Sequence, residues 1–486
     1  MPLPRKRFTS ILYPNASIFA VFVLLLFSSW AKIPSHIPLH DLTESLAFKK
    51  AVGLHSLRLD GAVVNYQSTA GYVNVEDSQH RKAQIFYTDY LVRRANRPVT
   101  FVFNGGPGSS SIWLHMGSFG PVRAVPGKNG YQNNPNTWLG FTDLVFIDPV
   151  GTGFSRASNS ADEKCFYGYQ EDVEIIGQFI KKYLTDNNRQ NSPLFLAGES
   201  YGAARAVGLT AYIRTAFKIP VKGLTLISPA LNYKLVTFRK RNDAPYPYYL
   251  PTYAATAQYH NQLTPELQQI TPEQLSKKVT AFAFGTYRNA LTGLNVLPAN
   301  VIDTLSYFTG IDTGTLRRLN GRVTDVQFSR LILKKKGEVT GTYDSRATGK
   351  ASAVADPSEV ALRAVFPQAF QQYQQNELHY KTPLAYLATI ATPNWNYGPA
   401  KAAGGYLDVV PVLRKLLSGD TDLKVHIVSG DYDLATPSST VNLYANQIRS
   451  HSVSVHRYLS GHMLYTDSQA NAKWYEDTKG FYQMAL

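Results

Sequence analysis

Cysteine is almost missing from this 486-residue chain: Cys165 stands alone, so no intramolecular disulfide forms and the fold is held by its core. Acidic residues are scarce as well, 34 Asp and Glu against 49 Lys and Arg, leaving a formal charge of +15. That balance suits nucleic acid or an anionic envelope surface, yet the basic residues form no stripe. The longest cationic run, Lys334-Lys335-Lys336, reads as a solvated turn, and no nucleic-acid partner is implied. No apolar run reaches the ~20 residues that a helix needs to cross a bilayer. Also missing are His-Glu-x-x-His, paired cysteines, a dinucleotide fingerprint and a Gly-Lys-Ser or Gly-Lys-Thr phosphate loop, so no metal or organic cofactor is implied. Internal repeats and low-complexity tracts are absent, which sets repeat architectures aside.

What is there is globular: 44% hydrophobic and 17% charged residues, in a chain long enough for one large α/β domain with an insertion or for two ordinary domains. The N-terminus stands apart. Arg5-Lys6-Arg7 precedes the apolar run Ile18 to Phe27, and Ser29-Trp30-Ala31 offers small residues around a cleavage point. Residues 1–31 are therefore expected to be an export signal, with no stable membrane insertion once it is removed. Its loss takes away three cations and no acid, leaving the mature chain near +12. Export combined with a lone cysteine points to a bacterial periplasmic or secreted location.

A helical pattern at Leu42 to Ala51 is followed by strand-like runs at Ala62 to Tyr66, Gly71 to Val75, Ala83 to Tyr87 and Val99 to Phe103, an opening antiparallel meander. The sheet then turns parallel. Leu144 to Ile147 is a buried strand, Tyr169 to Leu184 an amphipathic helix, Leu194 to Ala197 a second buried strand and Gly223 to Ile227 a third. The next strands, Lys424 to Val428 and Ser452 to Tyr458, come only after a long helical stretch rich in Tyr, Gln and Ala. The expected organisation is a core in two parts, 32–235 and 407–486, split by a helical cap insertion over 236–406 at the active-site edge of the sheet. The run Pro245-Tyr246-Pro247-Tyr248-Tyr249 either lines a cleft there or packs the cap onto the sheet.

Chemistry centres on Gly198-Glu199-Ser200-Tyr201-Gly202, which leaves a buried strand and enters a helix at once. A nucleophile elbow needs this context, with small residues two places either side of the serine so that strand and helix can meet. The other parts of an acyl-transfer site follow in the order Ser, acid, His. Asn104-Gly105-Gly106-Pro107-Gly108 makes a rigid turn after an early strand, so the Gly106 and Tyr201 N–H groups are the candidate oxyanion donors. Asp431 and Asp433 sit just past a strand's C-terminal end, and His462 lies after the last strand beside Gly461. His115 is a weaker competitor for the base, and His456 reads as a surface residue of its strand.

Together Asn104-Gly-Gly-Pro-Gly108, Asn134-Pro-Asn-Thr-Trp138, Asp148-Pro-Val-Gly-Thr-Gly-Phe-Ser155, Gly198-Glu-Ser-Tyr-Gly202, Gly430-Asp-Tyr-Asp433 and Gly461-His-Met463 resemble the signatures of the serine carboxypeptidase family, in order and over most of the mature chain apart from the insertion. The resemblance implies an α/β-hydrolase fold: a central, mostly parallel sheet with an antiparallel N-terminal meander and a large helical cap. It further implies Ser200 as nucleophile, His462 as base and Asp433 as orienting acid, with Asp431 the fallback. Asn104 and Glu199 would receive the terminal carboxylate of a peptide substrate with a free C-terminus, which requires a proton on Glu199 or shared between the two carboxyls. Two positions depart from the family. Val102 stands where it usually has Trp, and Ser118 replaces its second carboxylate-binding Glu; a Ser hydroxyl can bind the substrate by one hydrogen bond but cannot share a proton. Ser109, where secreted eukaryotic relatives often place Cys, suits the disulfide-free bacterial reading. The expected function is an exported carboxypeptidase acting through an acyl-enzyme. The alternatives are an esterase or acyltransferase on the same fold, and a non-catalytic envelope binding protein.

Overall fold

The computed structural model describes residues 50–486 apart from 126, 129, 399, 400, 403 and 404. The expected export signal, and the Leu42 to Ala51 pattern up to residue 49, lie outside the described residues. Ala51 itself opens a strand.

A ten-stranded sheet organises the described residues. Its main strands are β1 (Ala51–Leu59), β2 (Ala62–Glu76), β3 (Lys82–Leu91), β4 (Val99–Phe103), β5 (Asp143–Ile147), β6 (Leu194–Glu199), β7 (Gly223–Ile227), β8 (Lys424–Gly430) and β9 (Val453–Tyr458), and Arg156–Ala157 pairs with β3 at the side. Their spatial order is β1-β2-β3-β5-β4-β6-β7-β8-β9. The first three strands form the expected antiparallel meander, and β5 joins β3 antiparallel. From β5 onward every neighbour runs parallel.

One sequence expectation needs correcting. Ala62 to Tyr66 and Gly71 to Val75 are a single strand, because Gln67, Ser68, Thr69 and Ala70 are held by a ladder on each side, β1 on one and β3 on the other. Two ladders offset the weak strand preference of Ala70 and Gly71.

Alternation along the parallel strands builds two cores. Phe101, Phe103, Leu194, Leu196, Leu224 and Leu226 face the side covered by α1 (Tyr169–Asp186) and α2 (Tyr201–Phe217). Val102, Phe195, Ala197 and Ile227 face the other.

The chain between β7 and β8, expected to be a cap insertion, divides between these layers and one of its own. Helices α3 (Pro245–Tyr259), α4 (Pro272–Phe282) and α5 (Ala299–Thr309) build a third cluster that reaches the core chain at Leu434. Helix α6 (Val360–Asn376) instead packs against the second core, with the C-terminal helix α8 (Ser468–Ala485); α7 (Ser439–Ile448) covers the first. The Pro-Tyr-Pro-Tyr-Tyr run starts α3 with a proline in its first turn, where the missing N–H costs nothing. Tyr248 and Tyr249 are buried, and the Tyr249 hydroxyl donates to the Ala435 carbonyl at 3.3 Å. The run packs the helical layer onto the sheet. Lys334 to Lys336 form an exposed turn.

Candidate active site

Strand order decides where the site lies. β4 sits between β5 and β6, so chain direction across the sheet reverses there, and the crevice past the carboxyl ends of such strands is where α/β sheets place their ligands. Phe103 of β4 stands opposite Gly198 of β6, so the glycine-rich turn and the serine turn leave the sheet side by side. Two and three strands further on, the loops after β8 and β9 carry Asp433 and His462 to the same edge.

The backbone at the serine turn is strained. Ser200 has φ 61° and ψ −123°, a region that a residue with a side chain enters at a cost of about 1–3 kcal/mol. Its N–H is anchored to the Ile227 carbonyl of β7 at 2.9 Å. A Cβ on Gly198 would lie 2.1 Å from the Gly202 carbonyl oxygen, so strand and helix meet there only because residue 198 is glycine, while a Cβ on Gly202 would meet the Phe103 and Asn104 carbonyl oxygens at 2.9 Å. Tyr201 is the first residue of α2, where the helix leaves its N–H without an internal partner. Below it, the Tyr201 hydroxyl and Arg205 Nε both donate to Asp172 Oδ2, at 2.9 and 2.7 Å, while Arg205 Nη1 donates to the Asn104 carbonyl at 2.6 Å. This buried ion pair ties α2 to the start of the glycine-rich turn.

His462 and Asp433 are both buried, with His462 Nδ1 2.7 Å from Asp433 Oδ2. Asp433 Oδ1 accepts from the N–H groups of Ala435 and Thr436 at 2.8 and 2.9 Å. Its geometry is fixed before the histidine is considered. The Thr436 hydroxyl lies 2.7 Å from Asp433 Oδ2, 2.9 Å from the Ser228 carbonyl and 3.1 Å from His462 Nδ1. Sequence reasoning missed Thr436, although an Asp followed by Thr-Pro three and four residues later is a turn signal. The backbone of His462 is held too: its N–H donates to Tyr343 at 2.5 Å, and its carbonyl accepts from the Ser228 hydroxyl at 2.7 Å. Burial pushes the His462 imidazole down, but Asp433, Glu199 and Glu359 together outweigh it and leave its pKa above the ordinary value. Asp431 is elsewhere, accepting from Ser438 and Arg457 at 2.7 and 2.8 Å.

Of the other histidines, His115 is fully buried, stacked on Phe146 with ring centroids 4.1 Å apart and bonded to the Tyr90 hydroxyl at 2.7 Å. Burial drops its pKa to about 3, a neutral core residue. His456 is partly exposed, 3.0 Å from Asp477.

Beside the elbow, Asn104 Nδ2 donates to Glu199 Oε1 at 2.9 Å, and Asn104 Oδ1 accepts from the Leu114 N–H at 3.1 Å. Glu199 is 5% exposed, and burial raises its carboxyl to about 7 against the opposing pull of His462, Asn104 and Tyr465. Ser118 is not brought into this pair by any hydrogen bond. Its hydroxyl donates to Asn471 Oδ1 of α8 at 2.8 Å, because the turn His115–Phe119 directs it into the core. That turn is braced by the second signature: Asn134 Nδ2 donates to Gly120 at 2.9 Å, the Thr137 hydroxyl to Phe119 at 2.8 Å, and Trp138 stacks on Phe119. Asp148 of the third signature accepts from the Ser111 N–H and hydroxyl at 2.9 and 2.8 Å, pinning the far end of the glycine-rich turn. Chain from the insertion pins its middle, with Ser110 N–H donating to Ala388 at 3.0 Å and Ile390 N–H to Gly108 at 2.8 Å.

A mostly parallel α/β sheet with a strained serine at a strand-to-helix bend and a buried Asp–His pair at the same edge is the arrangement of an α/β-hydrolase. Within that class, residues 59–276 match the family model described as serine carboxypeptidase. The likeness extends beyond the matched segment. Serine carboxypeptidase-like 42 of Arabidopsis thaliana is 24% identical over 401 residues, 78% of this chain and 75% of that relative. Serine carboxypeptidase-like 44 of the same plant is 28% identical over 180 residues, and the pheromone-processing carboxypeptidase KEX1 of Yarrowia lipolytica 26% over 179; these alignments span only 37% and 29% of those relatives. Among solved structures, KEX1(delta)P, a prohormone-processing carboxypeptidase from Saccharomyces cerevisiae, matches with a TM-score of 0.55 at 15% identity, over 90% of this chain and 91% of that one. That match carries the fold.

Proposed function

We propose that this chain is a serine-type carboxypeptidase that removes residues from the free C-terminus of peptides. Ser200 attacks the scissile carbonyl while His462 takes its proton, and Asp433 holds the imidazolium that forms. The Gly106 and Tyr201 N–H groups receive the developing oxyanion, and water then frees the acyl-enzyme. Asn104 and Glu199 hold the substrate's terminal carboxylate. The observation that carries this reading is the Asn104–Glu199 pair: a buried carboxyl, raised to about 7, adjoins the serine. Two ionised carboxylates repel at such a site, whereas a protonated Glu199 donates a hydrogen bond to the substrate.

Export is part of the proposal. It rests on the sequence of residues 1–31 alone, while the relatives named above are plant and fungal proteins, so a bacterial periplasmic or secreted location stands on the N-terminal pattern and the lone Cys165. Among the described residues no helix is long and apolar enough to cross a membrane.

Commitment of the Ser118 hydroxyl to Asn471 favours a second reading, an esterase or acyltransferase with no use for a substrate carboxylate. Release of amino acid from a blocked dipeptide, compared with its C-terminal amide between pH 4 and 8, separates the two. Carboxypeptidase action predicts hydrolysis of the acid, strongest at low pH and absent in Ser200→Ala. Equal rates on acid and amide, or turnover of simple esters alone, select the second reading. A fluorophosphonate that leaves Ser200 unlabelled in the folded protein selects a binding protein.

A further inference from the structure

The carboxylate pocket has one buried neighbour that no sequence signature includes. Tyr465 lies three residues past His462, in the short turn Leu464–Thr466 that leads into α8. It is 1% exposed. Its ring packs against the turn that carries Ser118: a Cβ on Gly117 would stand 2.4 Å from Tyr465 Cδ2, so the ring fits only beside a glycine. Its hydroxyl lies within interaction range of both Glu199 and Asn104. Glu199 Oε2 and the Tyr465 hydroxyl are both sealed from solvent, and neither makes a hydrogen bond of standard geometry. A buried acceptor and a buried donor left unsatisfied side by side are costly, and a small adjustment that joins them removes both penalties.

Resting on the carboxypeptidase reading, we propose that Tyr465 is a positioning residue for substrate recognition: it donates its hydroxyl to Glu199 Oε2 and stands in for the second acid that this chain lacks at Ser118. Asn104 then holds one oxygen of Glu199 and Tyr465 the other, which fixes the plane of the carboxyl before substrate arrives. Recognition runs on a single proton, carried by Glu199 and presented to the substrate carboxylate. The groups that face Glu199 are His462 and Asp433 from the loops after β9 and β8, Asn104 from the turn after β4, and Tyr465. Arg123 Nη2 donates to the Tyr465 backbone carbonyl at 3.4 Å and not to its hydroxyl.

Because a phenol donates better to an ionised carboxylate than to a neutral one, its removal has a signed effect on pH dependence. In Tyr465→Phe, KM for a free-acid peptide at pH 5 should rise about ten-fold, the loss of one buried hydrogen bond that orients the Glu199 carboxyl. Its rise with pH should begin at higher pH than in the wild type, since Glu199 then keeps its proton longer. kcat, and turnover of an ester without a carboxylate, should stay within two-fold. Gly117→Ala, which displaces the ring and spares the hydroxyl, should reproduce the change. An unshifted KM profile in both variants, or equal losses on acid and ester substrates, overturns the role of Tyr465 and leaves the carboxypeptidase reading standing. A wild type that does not distinguish acid from amide overturns both.

Discussion

Glu199 and His462 act on each other's protonation, and the proposed mechanism needs them in opposite states. Glu199 must hold a proton to meet a carboxylate, while His462 must be neutral to accept one from Ser200. Both carry a pKa above the ordinary value, Glu199 because of burial and His462 in spite of it, and the negative charge of Glu199 is one cause of the shift in His462. Placing one proton on Glu199 therefore removes part of what holds a proton on His462, and the productive state is favoured at acid pH. In Glu199→Gln that charge is absent at every pH. The acid limb of kcat/KM should move to lower pH, and the alkaline rise of KM for free-acid peptides should flatten, both read from a pH–rate series. The two aspartates separate just as sharply. Asp433→Asn should lower kcat by about 10³–10⁴-fold through the wrong imidazole tautomer, whereas Asp431→Asn, paired with Arg457, should stay within a few-fold. Nothing in the spacing of Gly430-Asp431-Tyr432-Asp433 distinguishes them without the family likeness. The distinction is made by the turn after Asp433, which aims one carboxylate inward and leaves the other at the surface.

Among the elements, the elbow and the start of β5 carry the clearest costs. Alanine at Gly198 would drive its Cβ into the backbone of Gly202 and Ala203, at 2.1 to 2.9 Å, and neither can yield by turning a side chain. The helix must back away from the strand. Gly198→Ala should cost about 1–3 kcal/mol of stability as overpacking. It should lose at least about 10²-fold in kcat, because the serine moves with the helix. Asp143, the first residue of β5, is buried between Arg97 Nε at 2.7 Å and Arg189 Nη1 at 2.6 Å, and also accepts from the Val92 N–H at 2.8 Å. Asp143→Ala leaves those cations facing each other with no anion, and chemical denaturation should register a loss of about 3–5 kcal/mol. The parallel strands, the first helix and the elbow were legible because their apolar runs are short, bounded by breakers and followed by turn chemistry. β2 was not, since its break is a run of Ser, Thr and Ala that only the ladders on both sides make extended.

At the scale of the whole molecule, burial has raised several carboxyls together. Glu199 and Asp89 are lifted to about 7, and Asp148 and Asp325 to about 6, in each case chiefly by desolvation. A carboxyl whose pKa is higher folded than unfolded binds more protons in the native state, so its contribution is full below the unfolded value of ~4 and is lost as pH rises through the folded value. The buried His115 and His426 work the other way. Both are lowered to about 3, so they favour the fold above the unfolded value of ~6.5 and cost stability below it. Between pH 6 and 8.5 the opposing slope of the two histidines fades, and that of the four carboxyls is the larger. Thermal unfolding should therefore show Tm falling between pH 6 and 8.5; a Tm that climbs across that window would contradict these burials. The same acid preference is expected of activity, though for the separate reason that Glu199 must stay protonated.

The sequence by itself determined the sheet, the elbow and the residue types of the site, because these depend on local rules: short apolar runs, glycine where strand meets helix, and a turn after each parallel strand. It also determined that Ser118 is no acid. Tertiary structure decided what could not be local. It put Asp433 and not Asp431 against His462, turned Ser118 toward Asn471, stacked the insertion's tyrosines into the fold, and brought Tyr465 to Glu199 across 266 positions of chain. The physical reason is common to all four. A side chain's partner is set by which strand ends and turns the sheet order makes neighbours, and that order, with β4 between β5 and β6, is fixed by packing on both faces of the sheet and is not encoded in any one stretch.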